Sequence, residues 1–133
     1  MKTYYTVALS MLVGAGLGGA AIQVLHAQAT APIYYVSLID VTEPVPYPAE
    51  YAVKMQALLK SHGGKQLAIG GIGGASAKKL TAFDGTPPKR AVVTAWDSME
   101  KIQAWRKDPK FKELRSTGEK YAGFRSFAIE GLQ

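Results

Sequence analysis

Apolar and polar positions change their period several times along the chain, and the changes mark out its elements. Ile33 to Val41 reads Ile-Tyr-Tyr-Val-Ser-Leu-Ile-Asp-Val, dense in β-branched and aromatic residues, which predicts a strand buried on at least one face. Prolines follow at 44, 46 and 48, and Pro48 suits the first turn of a helix, where a missing amide proton costs nothing. Tyr47, Tyr51, Met55, Leu58, Leu59 and His62 then recur at helical spacing, with Glu50, Lys54 and Lys60 falling elsewhere. Gly63-Gly64 stops that helix, because glycine turns left-handed without steric cost. Lys65 to Ile69 predicts a short strand, and Lys79 to Phe83 a second one beyond a glycine-rich loop. Asp84-Gly85-Thr86-Pro87-Pro88 is a turn by composition, and Arg90 to Trp96 is a strand with the character of a central one. Asp97, with Glu100 three residues on, predicts the cap of a helix that turns Ile102 and Trp105 inward. Asp108-Pro109 breaks that helix and restarts it with Phe111, Leu114, Gly118 and Tyr121 along one side and Gly123 closing it; Phe124 to Ile129 is the last strand.

The order strand, helix, two strands, helix, strand predicts an α+β fold: a ferredoxin-like βαββαβ layer with an antiparallel sheet and both helices on one face. No internal repeat interrupts it. The opposite face, to which Val92, Thr94 and Phe127 are assigned, stays partly apolar, and the expected cover is a second copy of the chain, sheet against sheet.

The segment Gly70-Gly71-Ile72-Gly73-Gly74-Ala75-Ser76-Ala77-Lys78-Lys79 carries the ingredients of a phosphate cradle but not the pattern. A Walker loop needs Gly-Lys and then a hydroxyl residue at a helix start, whereas Lys78 follows Ala77 and precedes Lys79. The dinucleotide pattern fails at Ser76. With a strand expected on each side, no helix N-terminus is present to receive an anion. The segment therefore reads as a wide hairpin connection whose glycines let backbone approach a ligand or a partner closely.

Composition adds a compartment. Lys2, the apolar run from Val7 to Leu17, and Ala27-Gln28-Ala29 have the three-part layout of a secretory signal peptide over residues 1–29, followed by Thr30-Ala31-Pro32 as a tether to a domain at 33–132. The uncharged stretch from Tyr4 to Leu25 is the alternative, an uncleaved anchor and the one route to a membrane. In both cases the domain is expected outside the cytoplasm, in the periplasm or secreted. Cleavage removes one cation, Lys2, and takes the formal charge from +6 to +5. That charge is scattered, which argues for a solvated surface and against nucleic acid as a partner. The chain has no cysteine, so it has no disulfide, thiolate metal site or cysteine nucleophile.

The runs YYVSLIDVT, YAVKMQALLKSHGGKQLAIGG, FDGTPPKRAVVTAWDSMEKIQAWRKDPKFKEL and FRSFAIEGL resemble the domain of unknown function 1330 family over about residues 33–132. The resemblance implies a dimeric α/β barrel, a ferredoxin-like subunit pairing through its sheet, and no established reaction. It is carried by Tyr51, His62-Gly63-Gly64, Asp84-Gly85, Arg90, Trp105 and Glu130-Gly131. It departs at Ile69, where the family often has Arg, and at Arg106 and Phe111, where it often has Tyr.

Candidate chemistry is sparse. With His26 in the leader, His62 is the one histidine left in the domain; it can cap the helix C-terminus or move a proton, and Tyr51 can donate one. Tyr51 and His62 are the candidate catalytic groups, and Arg90, Trp105 and Asp84 the candidate ligand-binding ones. Arg90, Arg115 and Arg125 need a carboxylate or a bound anion if they face inward, with Asp84, Asp97 and Glu130 as internal partners. No metal set or cofactor motif is present, and none is expected. The expectation is an exported homodimer that binds a small anionic or polar-aromatic organic molecule between sheet and helices. The alternative is a cofactor-independent enzyme, monooxygenase-like or isomerase-like, acting on such a molecule.

Overall fold

The computed structural model describes residues 30–133, so the leader at 1–29 and its cleavage lie outside the described residues. Four strands form one antiparallel sheet: β1 (Ile33–Val41), β2 (Lys65–Gly71), β3 (Arg90–Trp96) and β4 (Ala122–Glu130), in the order β2-β3-β1-β4. β1 lies between β3 and β4, with Ile39 opposite Arg90 on one side and Phe124 on the other. This is the α+β, ferredoxin-like layer expected from the element order.

Side chains alternate across a strand, and this alternation sorts the two faces. Tyr35, Ile39 and Val41 of β1 share the covered face with Arg90, Thr94 and Trp96 of β3, and all six are buried. Val92 lies on that covered face too. The expectation that Val92 and Thr94 line the open face is therefore wrong by parity; Thr94 is 1% exposed, and its Oγ1 donates to the Tyr35 carbonyl at 3.2 Å while accepting from Trp96 Nε1 at 2.9 Å. The open face carries Val36, Leu38, Val93, Phe127 and Ile129, the last two 45% and 53% exposed.

The covering layer begins with a π-helical turn at Pro48–Ala52 that runs into α1 (Val53–Ser61). Tyr47, Tyr51, Met55, Leu58 and Leu59 bury one side of it. The helix ends at His62 in a Schellman arrangement: Gly63 has φ +92°, its N–H reaches the Lys60 carbonyl at 3.1 Å, and Gly64 N–H reaches the Leu59 carbonyl at 3.0 Å. α2 (Met99–Lys107) is capped by Ser98, whose Oγ accepts from Lys101 N–H at 3.3 Å, and not by Asp97. Asp97 instead receives the Lys101 ammonium at 2.9 Å. Asp108 closes α2 and caps α3 (Pro109–Gly118), so the expected break and restart is present. α3 stops at Gly118, and Gly123 belongs to β4.

The expected strand at Lys79–Phe83 does not form. Its residues are exposed apart from the half-buried Leu80, and only Lys78 bridges back, to Gly70. A strand needs one face to bury, and this segment has none to offer.

Candidate ligand-binding cavity

A cavity of about 50 Å³ lies between the covered face of the sheet and the helical layer. Tyr35, Ser37 and Ile39 of β1 and Arg90, Val92 and Thr94 of β3 form its floor. Tyr47, Tyr51, Met55 and Gln56 form its roof, with Trp105 from α2 and Arg115 from α3 closing it. At 10–15 Å³ per water position, the enclosed part holds roughly four waters or a short organic molecule.

Arg90 is 4% exposed, a full cation inside the fold. Its Nη1 donates to the Ile72 carbonyl at 3.0 Å, and its guanidinium carbon lies 5.8 Å from the Tyr47 ring centroid. The glycine loop makes that contact. Gly73 has φ +94°, and a Cβ there would meet Tyr47 at 2.9 Å and stand 3.7 Å from Arg90 Nη1. The glycines thus allow backbone to approach a cation and an aromatic ring, which is the close approach expected of them, here made toward the protein's own side chains.

Arg115 enters from the other side. Its guanidinium carbon lies 4.0 Å from the Phe124 ring centroid, 5.0 Å from Phe111 and 5.9 Å from Tyr51. The two cations have no carboxylate partner within 4.0 Å among the described residues, and no Asp or Glu lines the cavity. Asp84, Asp97 and Glu130, the internal partners considered from sequence, pair with neither. The third arginine, Arg125, pairs at the surface with Asp40 at 3.6 Å.

Three buried side-chain donors have no protein acceptor among the described residues: Arg90 Nε, Arg115 Nε and Trp105 Nε1. All three belong to residues that line this one cavity. An unsatisfied buried donor costs about 1–3 kcal/mol, more when charged; these three nitrogens are closed to water and lie behind the cavity wall. Burial pushes the Tyr51 phenol well above its ordinary value, with the Arg115 cation opposing. Burial raises Tyr47 as well, against Arg90 and Arg115. Both phenols therefore stay protonated across the physiological range and offer O–H groups.

Of the candidates read from sequence, the fold brings Tyr51, Arg90 and Trp105 to this cavity and leaves His62 and Asp84 outside it. His62 Nε2 lies 2.8 Å from Asp108 Oδ2, a link from the C-terminus of α1 to the N-terminus of α3. Asp84 sits exposed on the long β2–β3 connection. Tyr47, Gln56 and Gln66 were missed, although Tyr47 heads the helical stripe that includes Tyr51. Arg106 and Phe111, the departures from the family pattern, stack with 4.9 Å between guanidinium carbon and ring centroid, and Arg106 Nη1 donates to the Tyr35 phenol oxygen at 2.6 Å.

The profile of the family described as "Domain of unknown function (DUF1330)" matches residues 32–132. No curated protein is significantly similar to the chain. Among solved structures, a protein of unknown function from Rhodopseudomonas palustris aligns at 16% identity over 86% of this chain and 93% of its own, with a TM-score of 0.56. SnoaB, a cofactor-independent oxygenase from Streptomyces nogalater, aligns at 10% identity over 77% of this chain and 95% of its own, with a TM-score of 0.55. A conserved protein of unknown function from Bacteroides thetaiotaomicron aligns at 14% identity over 77% and 100%, with a TM-score of 0.53. At these identities the likeness concerns the fold.

Proposed function

Because the chain belongs to the DUF1330 family, whose description carries no activity, we propose a function from the cavity itself: binding of a small organic anion between sheet and helices. The observation that carries this is that two arginines, Arg90 and Arg115, line one space without a carboxylate partner. A carboxylate ligand would supply both the acceptors and the compensating charge. We place this binding in an exported protein that pairs through its open sheet face, the first on the leader sequence and the second on the apolar strip Val36, Leu38, Val93, Phe127 and Ile129.

Binding is favoured over catalysis by what lines the space. Among the described residues around the cavity there is no His, Asp, Glu, Lys or Cys to take a proton or attack a substrate, and His62 is engaged by Asp108 instead. The cofactor-independent enzyme alternative would have to run on the phenols and hydroxyls that line the cavity, Tyr35, Tyr47, Tyr51, Ser37 and Thr94.

Thermal unfolding with a panel of short carboxylates and phenols tests this. At about 100 times its Kd a ligand adds about 2.7 kcal/mol to stability, which raises Tm by about 10 °C in a domain of this size. The carboxylates should produce that rise in the native protein and not in the Arg90→Met variant, each compared with its own ligand-free Tm. No rise with any member of the panel would remove the proposal.

A further inference from the structure

The anion-binding site has two cationic ends. Arg90 leaves the sheet from β3, and Phe124, beneath the Arg115 guanidinium, leaves it from β4. Both stand opposite Ile39 of β1, so Arg90, Ile39 and Phe124 form one row across the sheet. At about 4.8 Å per strand spacing, the outer positions of that row are roughly 10 Å apart at the backbone. Above the row, the Tyr47 and Tyr51 rings lie 5.5 Å apart, centroid to centroid. Arg90 stands 5.8 Å from the first ring and Arg115 5.9 Å from the second, so the two guanidinium groups bracket the tyrosine pair. Each keeps a buried Nε without a protein acceptor.

A ligand with a single charge would answer one of these cations and leave the other without a carboxylate partner. An ion with both charges on one centre would have to draw the two arginines together over the tyrosine pair. Two carboxylates joined by a short chain meet both cations where they stand, with the chain against the aromatic rings and the phenol hydroxyls within the same space.

Resting on the anion-binding reading above, we propose that the ligand is a short dicarboxylate, one carboxylate on Arg90 and the other on Arg115. Calorimetric titration of the isolated protein at pH 8 with malonate, succinate and glutarate, against propionate, butyrate and pentanoate and against inorganic phosphate, tests it. At least one diacid should bind about tenfold or more tightly than the monoacid of equal carbon number, the increment that one charge-assisted hydrogen bond contributes. In Arg115→Met that ratio should fall to about one. Equal affinity for diacids and monoacids would overturn the dicarboxylate and leave the anion site standing, and so would a diacid preference that survives Arg115→Met. Phosphate binding more tightly than every diacid would replace the two-ended ligand with a single doubly charged centre. Failure of every anion to bind would remove both proposals together.

Discussion

Asp108 serves two helix ends with one carboxylate. Oδ1 accepts from Lys110 N–H at 2.9 Å at the start of α3, and Oδ2 meets His62 Nε2 at the end of α1. The hydrogen bond with His62, followed by that with Lys110 N–H, holds the carboxyl below its ordinary 3.8. A depressed folded value means that the unfolded chain takes up the proton first. The stabilisation is therefore complete above the ordinary value and is lost as pH falls through the folded one. Asp108→Asn should accordingly be less stable than the native protein at about pH 5, and the gap should close as denaturation is repeated at successively lower pH below 3.8. A gap that persists unchanged into strong acid would mean that the carboxylate's charge is not what stabilises the junction. His62 thus ties the end of α1 to Asp108 with its side chain, and not to the free carbonyls of its own helix.

Between elements, α3 packs closely on the turn that begins α1. A Cβ on Gly118 would stand 2.5 Å from Tyr51 Cδ2, inside van der Waals contact. Gly118→Ala sets a helix-propensity gain of at most about 1 kcal/mol, smaller at a helix end, against about 1–3 kcal/mol for overpacking a buried ring. Overpacking wins, so urea unfolding should show a loss of about 1–2 kcal/mol, with weaker carboxylate binding because Tyr51 roofs the cavity. A variant as stable as the native protein would show that this packing is loose. The elements themselves were legible where periodicity and punctuation agreed: the helical stripe from Tyr47 to His62 ended by two glycines, and the β-branched runs at Ile33 and Arg90. Lys79–Phe83 was misread because its short apolar-polar alternation resembles a strand, while pairing back to β2 stops at Lys78, which bridges Gly70. Arg90, Tyr51 and Trp105 could be read toward one space because each sits on an inward position of its own element. The lack of a carboxylate near Arg90 and Arg115 could not, since it depends on which of several acids the fold brings within reach.

For the whole molecule, the open sheet face sets the expectation. Val36, Leu38, Val93, Phe127 and Ile129 form an apolar strip that water covers poorly, at about 25 cal/mol per Å² of apolar surface left exposed. The protein recovered after export should begin at Thr30 by intact mass and scatter light as a dimer at micromolar concentration. Phe127→Asp should shift it to monomer while keeping its far-ultraviolet spectrum. A native monomer would reject pairing, and a chain retaining Met1 would reject cleavage.

The position of β1 also has a consequence for when the fold can form. β1 is the first strand of the domain and the only one hydrogen-bonded to both β3 and β4, reaching Trp96 and Glu130 from Ile33. A chain made from its N-terminus therefore carries β1 with both edges bare until β3 is made, and with one edge bare until its final strand is released. Loop closure over nearly the whole domain must precede the β1–β4 contacts. Completion of the sheet is thereby deferred to the finished chain, and one edge of an apolar strand needs shelter while it waits.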